Sequence, residues 1–394
     1  MRISTNMIYA NGTQQFQNRA SELLKIQQQL ATGKRIVSPS DDPIASATSL
    51  LVSQAKGVNS QYGVNRGNAS TSLAAEDNVL GGVGDLVTYV KERVVQAGNG
   101  ALSRADLEAI STDLKASFDS LVGLSNSRDA SGGYMFAGFQ SDTQPFVGDA
   151  TSGVAYRGDQ GSRSMQISES RVIPVSDPGD KIFMKIPNSN GAFNTAAAST
   201  NTGRAIIDDG TVTGSFTGHS YALRFTTATD YEVYDTTNPG PAISTGTYTS
   251  GQPIAFDGIQ VTVAGSPAGG DEFDVTPGGY TDAFTSMKKV IDALDIASSS
   301  ELPTFIAQGL DRLDKTLDNV LQVRASVGSR MNEIDAVENV GSQADVQYAA
   351  TLSRLGDLDY AEAVSSLAQR TVALQAAQQA FVKTTGLSLF NYLS

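Results

Sequence analysis

The chain has 394 residues, a net charge of −13 and 40% hydrophobic residues, a balance typical of folded protein. It has one histidine and neither cysteine nor tryptophan, which excludes cysteine nucleophiles, thiolate zinc sites, disulfides and multi-histidine metal centres. The acidic balance argues against nucleic acid as a partner, and no apolar run is long enough for membrane insertion. The N-terminus lacks the apolar core of a cleaved signal peptide, and no cofactor is predicted.

The first segment, residues 1–42, is predicted to contain one amphipathic helix followed by a linker. Its apolar stripe has heptad spacing but is diluted by Gln and Ala, so the helix alone would be marginal in water. Either this is an ordinary surface helix, or it pairs with the other end of the chain and with neighbouring subunits. The candidate seam residues here are Tyr9, Phe16, Leu23 and Leu30.

The stretch LATGKRIVSPSDDPIAS contains a Gly-Lys pair but does not match a phosphate-binding loop. Arg35 stands where that loop needs Ser or Thr, and no glycine precedes Gly33 by five residues. A joint between two helices fits better. Gly33 is the predicted C-cap, with Lys34 and Arg35 complementing the negative end of the helix they follow. Asp42 is the predicted N-cap of the next helix, and Pro43 its first residue.

Segment 43–175 is predicted to form the first half of a helical bundle and a β-hairpin. Its first helix carries apolar residues at alternating steps of four and three, interrupted only by Glu76, and a GGVG run weakens it. A second helix is predicted to start at Ser103, with Asp106 where a capping box usually has Glu or Gln. The predicted buried residues are Ala69, Leu73, Leu80, Val83, Val87, Val90 and Val94 in the first helix, and Leu107, Ile110, Leu114, Phe118 and Leu121 in the second.

Residues 176–279 are predicted to form a β-rich outer domain, because Pro and Gly become frequent and leucine nearly disappears. Runs such as YALRFTTATDYEVYD and IQVTVAGSP are typical of strands between tight turns. The acidic run GGDEFDV does not match a calcium loop, and we interpret it as a turn before a strand, with Phe273 and Val275 on one face. His219 has no obvious partner for catalysis in the sequence and is predicted to be a surface or hydrogen-bonded structural residue.

Residues 280–349 return to helical periodicity and are predicted to form the second half of the bundle. Residues 350–394 are predicted to form a C-terminal assembly helix with a second dilute seam. The predicted fold class is therefore α+β: an elongated α-helical bundle built from the N- and C-terminal segments, with a β-hairpin and an inserted β-rich outer domain. The seam residues at this end are Tyr360, Val364, Leu367, Leu374 and Phe381.

Four motifs, in the expected order, resemble the flagellin superfamily. They are LATGKRIVSPSDDPIAS, GGYMFAGFQSDTQPF, VRASVGSRMNEID and DYAEAVSSLAQRTVALQAAQQAFVKTTGLSLFNYL. The resemblance covers roughly residues 1–145 and 280–394. Within the superfamily, MRISTNMIY and SPSDDP are closer to the proteins that join hook to filament than to filament flagellin.

The resemblance implies a structural, non-enzymatic subunit that forms the hook–filament junction and the platform on which flagellin assembles. It implies export without a cleaved signal peptide, to an extracellular position in the flagellum, with terminal segments that become an inner tube on assembly. The implied partners are further copies of the chain, hook-associated protein 1, flagellin, and an export chaperone that binds the C-terminal region.

The alternatives that stay open are filament flagellin itself, and an adhesin-like binding module carried by the acidic outer domain. An enzyme grafted on the same scaffold has least support, since no nucleophile or metal motif was found.

Overall fold

The computed structural model describes residues 5–188, 190–198, 200–297 and 301–386. The helices in these residues are α1 (Thr5–Thr32), α2 (Pro43–Ala97), α3 (Arg104–Ser125), α4 (Ala283–Ile296), α5 (Leu302–Gly356) and α6 (Tyr360–Gly386), with a π-helical turn at Asp180–Met184. The strands are β1 (Phe146–Asp149), β2 (Gly153–Tyr156), β3 (Ser164–Ser168), β4 (Arg171–Pro174), β5 (Ile186–Pro187), β6 (Phe193–Ala197), β7 (Arg204–Ile207), β8 (Thr211–Val212), β9 (Tyr221–Phe225), β10 (Asp230–Asp235), β11 (Ser244–Thr247), β12 (Pro253–Phe256), β13 (Ile259–Ser266), β14 (Glu272–Pro277) and β15 (Tyr280–Thr281). Helices built from both ends of the sequence flank a β-rich region, so the α+β class is confirmed.

The chain divides into two compact units. Unit 1 is Met1–Val64 with Val337–Ser394, and unit 2 is Asn65–Ala336. The divisions fall inside α2 and α5, whereas the sequence placed segment boundaries at 42/43 and 349/350. Helix α5 also continues past residue 350 and ends at Gly356.

The apolar stripe predicted on α2 is buried throughout unit 2. The GGVG run does not interrupt the helix, which is continuous from Pro43 to Ala97. Gly82 and Gly84 face leucine side chains of neighbouring helices: a Cβ built on each would lie 3.7 Å from Leu124 and from Leu317, respectively. A methyl group at either position would therefore make ordinary van der Waals contact with the neighbouring helix.

Helix α3 begins where the sequence predicted. The side chain of Ser103 accepts from the backbone of Asp106, and the Asp106 carboxylate accepts from the backbone of Ser103 at 2.9 Å, so the capping box is complete despite its Asp. The five residues predicted to face the core are all buried. The shorter Asp side chain is thus long enough to close the box.

The β region of unit 2 has a five-stranded antiparallel sheet in the order β11-β10-β9-β14-β6 and a four-stranded sheet built on β12-β13-β7. Phe273 and Val275 are fully buried on one face of β14, as predicted, and join a core of aromatic and β-branched side chains. His219 is hydrogen-bonded through Nδ1 to Asp235 at 2.7 Å, which agrees with the hydrogen-bonded alternative of the prediction. The hairpins β1–β2 and β3–β4 precede this region.

A buried ion cluster links the β region to the last two helices of unit 2. Asp209 follows β7, and its Oδ1 accepts from Lys289 of α4 and from Arg312 of α5, each at 2.8 Å. Burial alone would raise the pKa of Asp209, but the two cations outweigh it and leave that pKa below its usual value. The cluster therefore fixes the loop after β7 against both helices.

Candidate assembly surface

The first and last helices of the described chain, α1 and α6, pack against each other in antiparallel orientation. Near the start of α1, a Cβ built on Gly12 would lie only 2.6 Å from the ring of Phe381, near the end of α6. Farther along α1, Glu22 forms an ion pair with Arg370 at 2.7 Å. The two dilute stripes predicted from the sequence are thus partners within one chain.

This pairing buries little apolar surface. Ile26 and Ala363 are its most buried side chains, each 7% exposed, and neither was among the predicted seam residues. Their positions follow from the antiparallel register, which a single stripe does not reveal. The predicted seam residues that the pairing half-buries are Leu23, Leu30, Leu367, Leu374 and Phe381.

Three other predicted seam residues remain on the surface. Phe16 is 37% exposed, Tyr360 is 56% exposed and Val364 is 55% exposed. The side chain of Tyr9 lies outside the described residues, although its backbone is part of α1. The structure therefore separates the predicted seam into a set that pairs within the chain and a set left facing outward.

Exposed apolar side chains occur along all the helices of unit 1 in the residues that the structure describes. In the part of unit 1 that the structure describes, the buried apolar side chains are Ile26, Ala45 and Ala363. Unit 2 shows the opposite pattern, with its heptad stripes buried. The large exposed apolar residues of unit 1 are Met7, Phe16, Leu24, Val37, Ile44, Leu50, Leu51, Val58, Val64, Val340, Val346, Tyr360, Val364, Val372 and Val382.

The loop between α1 and α2 is a tight joint. Helix α1 ends at Thr32, and Gly33 has φ +66°, in the left-handed region that favours glycine. A Cβ at Gly33 would also lie 2.8 Å from the hydroxyl of Tyr360. Asp42 accepts from the backbone N–H of Ala45 at 2.9 Å, and α2 begins at Pro43.

A second joint, which the sequence analysis missed, lies between α5 and α6. Helix α5 ends at Gly356, and the carboxylate of Asp359 accepts from the backbone N–H groups of Ala361 and Glu362 at 2.9 and 3.2 Å. Asp359 is therefore the N-cap of α6. The sequence signal was present in GDLDY, where a glycine and an aspartate flank the break.

The two joints are bonded to each other through the backbone. Arg35 N–H donates to the carbonyl of Gly356 at 2.8 Å, and Leu358 N–H donates to the carbonyl of Gly33 at 3.1 Å. Two chain reversals that are distant in sequence thus form one short antiparallel bridge.

Side chains reinforce this bridge. Lys34 forms an ion pair with Asp357 at 2.7 Å, and the hydrogen bond from Lys34 holds the pKa of Asp357 below its usual value. Arg35 Nη2 donates to the carbonyl of Leu355 at 2.9 Å. The two cations therefore complement the C-terminal end of α5, not that of α1 as predicted, because Gly33 turns the chain away from the helix it ends.

Asp41 ties the linker back to α1. It forms an ion pair with Lys25 at 2.8 Å and accepts from the backbone N–H groups of Val37 and Ser38 at 3.1 and 3.0 Å. The hydrogen bond from Lys25, aided by these backbone bonds, lowers the pKa of Asp41 to about 2. The linker is thus an ordered turn.

Within the described residues, no group of three or more His, Asp or Glu side chains is arranged to hold a metal ion. None of the helices in the described ranges is long and apolar enough to cross a membrane.

The helical ends match two family models. Residues 3–141 match the bacterial flagellin N-terminal helical region, and residues 310–393 match the bacterial flagellin C-terminal helical region. These two ranges contain α1, α6 and both joints. The fold and its paired ends therefore define a protein of the flagellin type.

Individual relatives identify one family within the flagellin-type proteins. The chain is 29% identical to flagellar hook-associated protein 3 of Escherichia coli strain K12 over 390 residues, which is 99% of each protein. It is 31% identical to FlgL of Xanthomonas campestris, whose crystal structure aligns with a TM-score of 0.57 over 77% of this chain and 99% of that one. The flagellar junction protein FlgL of Legionella pneumophila is 28% identical, with a TM-score of 0.55 over 79% of this chain and 100% of that one. The chain belongs to the flagellar hook-associated protein 3 family.

Proposed function

We propose that this chain is a structural subunit of the bacterial flagellum that forms the junction between hook and filament and the platform on which flagellin assembles. The observation that carries this proposal is the exposed apolar surface of unit 1. So many exposed apolar side chains beside so few buried ones indicate a surface that another protein covers. Relatives in the same family, one of them a flagellar junction protein by name, support the assignment.

Folding and assembly are coupled at unit 1 in this proposal. The α1–α6 pair buries few apolar side chains of its own, so neighbouring subunits supply the remaining burial. A neighbouring subunit that binds only the folded form of unit 1 stabilises that form by mass action. A contact between two different faces of one chain closes into a ring when the rotation between copies permits it.

The segments take the following roles. Residues 1–42 and 350–394 form the inner tube. Residues 43–175 and 280–349 form the bundle around it, and residues 176–279 form the outer domain. The two bonded joints mark where the α1–α6 pair meets α2 and α5, which supports separate roles for the terminal pair and the rest of unit 1.

The partners in this proposal are further copies of the chain, hook-associated protein 1 on one side and flagellin on the other. An export chaperone binds the C-terminal region, where Tyr360 and Val364 of the seam are exposed before assembly. The chain leaves the cell through the flagellar export apparatus, without a cleaved signal peptide, and has no catalytic role.

Electron microscopy of cells that lack this chain tests the proposal. We expect hooks without filaments, flagellin shed into the medium, and full recovery on expression of the wild-type chain. Filaments of normal length on the mutant cells would contradict the junction role.

Seeded growth of the purified chain separates this role from that of filament flagellin. A junction subunit adds a short, limited layer to hook ends, whereas flagellin elongates without limit. Long filaments of the pure chain would favour flagellin.

A further inference from the structure

A carboxyl group interrupts the buried stripe of α2. Glu76 is 2% exposed, and the flanking stripe residues Leu73 and Leu80 are fully buried. Glutamate is rarely buried to this degree unless a cation pairs with it. The hydrogen-bond partners of Glu76 therefore determine whether its carboxyl group is protonated or ionised in the folded chain.

Glu76 receives one hydrogen bond. Its Oε1 accepts from the backbone N–H of Asp177 at 3.1 Å, in the loop that follows β4. Its Oε2 is buried, and no group among the described residues donates to it. An ionised carboxylate is stabilised by several donors, so this environment does not suit the charged form.

The nearby cations are already engaged by another carboxylate. Asp177 is itself buried and forms ion pairs with Lys181, at 3.3 Å, and with Arg330 of α5. Arg330 also donates to the carbonyl of Pro174 at 3.1 Å. Two carboxyl groups thus share a site whose cations bond only to one of them.

Three further ion pairs on the surrounding elements engage charged groups with one another. On α2 and α5, Asp77 and Arg324 bond to each other at 2.9 Å. Glu333 of α5 pairs with Arg171 of β4, and Asp180 pairs with Lys185 at 2.7 Å. None of these pairs includes a hydrogen bond to Glu76.

We propose that Glu76 is a proton-binding site: its carboxyl group is protonated in the folded chain at neutral pH, and this proton lets the loop carrying Asp177 close over the α2 stripe. As the chain folds, one proton moves from solvent to a Glu76 oxygen and forms an O–H bond. The neutral acid then fits between the leucines, and Asp177 keeps both cations.

Electrostatics agree with the geometry. Burial, followed by the negative charge of Asp177, raises the pKa of Glu76 from 4.5 to about 8. The folded form therefore binds a proton that the unfolded form releases above its own pKa. Stability conferred by this site is full below pH 4.5, falls as the pH rises toward 8, and is then constant.

Denaturant unfolding of the full chain between pH 5 and 9 tests the proposal, with Glu76→Gln as the variant. The amide keeps the shape of the protonated acid but cannot titrate. The pH dependence that other carboxyl groups contribute is the same in both proteins and cancels when their unfolding constants are compared. We expect the wild-type unfolding constant to rise, relative to that of the variant, by up to about tenfold per pH unit until pH 8. A ratio that is independent of pH would overturn the proposal.

Glu333→Gln is the matched control, since it removes a half-buried glutamate that pairs with Arg171 of β4, the strand before the Asp177 loop. The ion pair with Arg171 lowers the pKa of Glu333, so this variant should leave the slope between pH 5 and 8 unchanged. A second readout does not depend on any variant folding. The assigned side-chain carboxyl ¹³C resonance of Glu76 in the wild type should titrate above pH 6.5, and titration below pH 5.5 would overturn the proposal.

Discussion

The backbone N–H of Arg35 donates to the carbonyl of Gly356 at 2.8 Å, so the loop that ends α1 is bonded to the residue that ends α5. The C-terminal end of α1 therefore lies beside the N-terminal end of α6, and the hydrogen bonds at these ends fix the register of the pair. The reciprocal bond from Leu358 to Gly33 closes the bridge from the other side. Changes at either joint should consequently affect both terminal helices.

Gly33→Ala tests the shared joint. The left-handed backbone costs an alanine about 1–2 kcal/mol, and its Cβ meets the Tyr360 hydroxyl. We expect faster amide exchange in both α1 and α6, measured by hydrogen exchange. Gly57→Ala in α2 is the matched control, because a Cβ there meets no atom within 4 Å and alanine favours the helix. Exchange that changes in α1 alone would contradict the shared joint.

Val364→Asp combined with Val372→Asp tests the outward surface of α6. Both valines are more than half exposed, so the melting temperature of the monomer should be unchanged. Filament attachment should be lost, because two charges would be buried against a neighbouring subunit. Motility and electron microscopy provide the measurement, and Ser365→Asp on the same helix is the control. Normal filaments in the double variant would refute the assignment of this surface.

Leu367→Asp combined with Leu374→Asp tests the inward set of seam residues. These leucines are half-buried in the α1–α6 pair, so the charges should separate the two helices and also prevent filament attachment. The melting transition of unit 2 should be retained, since its core includes neither residue. Differential scanning calorimetry distinguishes these outcomes, and a lost unit 2 transition would show a wider structural effect.

Hydrogen exchange of the isolated wild-type chain tests the coupling of folding to assembly. Amides of α1 and α6 should exchange far faster than those of α2 between Ala69 and Val94, because the terminal pair buries few apolar side chains. Assembly should slow them. Strong protection of residues 5–32 and 360–386 in a monodisperse monomer would contradict this prediction.

Asp209→Asn tests the ion cluster in unit 2. The amide cannot neutralise Lys289 and Arg312, so two buried cations would lose their shared carboxylate at a cost of roughly 3–5 kcal/mol. Since its folded pKa is lowered, the wild-type carboxylate contributes stability above pH 3.8 and loses it as the pH falls through the folded pKa. Urea unfolding at pH 7 provides the measurement. An unchanged midpoint would show that the cluster contributes nothing net.

Local patterns predicted much of the fold. The buried stripe from Ala69 to Val94 could be predicted because all of its residues belong to one helix, so their spacing in the sequence shows which side is buried. The capping box could be predicted because Ser103 and Asp106 are only three residues apart. The strand that contains Phe273 and Val275 could be predicted because buried and less buried residues alternate over a few positions.

Contacts between residues that are far apart in the sequence could not be predicted in this way. The partner of Arg35 is the end of α5, and nothing near residue 35 encodes that choice. The same limit applies to Ile26 and Ala363, whose burial depends on the register between two helices, and to β9, which pairs with both β10 and β14. A dilute heptad stripe indicates that a helix needs a partner, but it does not identify one.

The pairing of α1 with α6 has a consequence for the order in which the protein is made. Residues 33–359 separate the two helices, so α1 is translated well before its partner α6. At about 5–20 residues per second, a ribosome needs on the order of tens of seconds to synthesise that interval. Throughout this time the apolar face of α1 has no intrachain partner, so the nascent N-terminal helix is available to any factor in the cell that binds newly made chains.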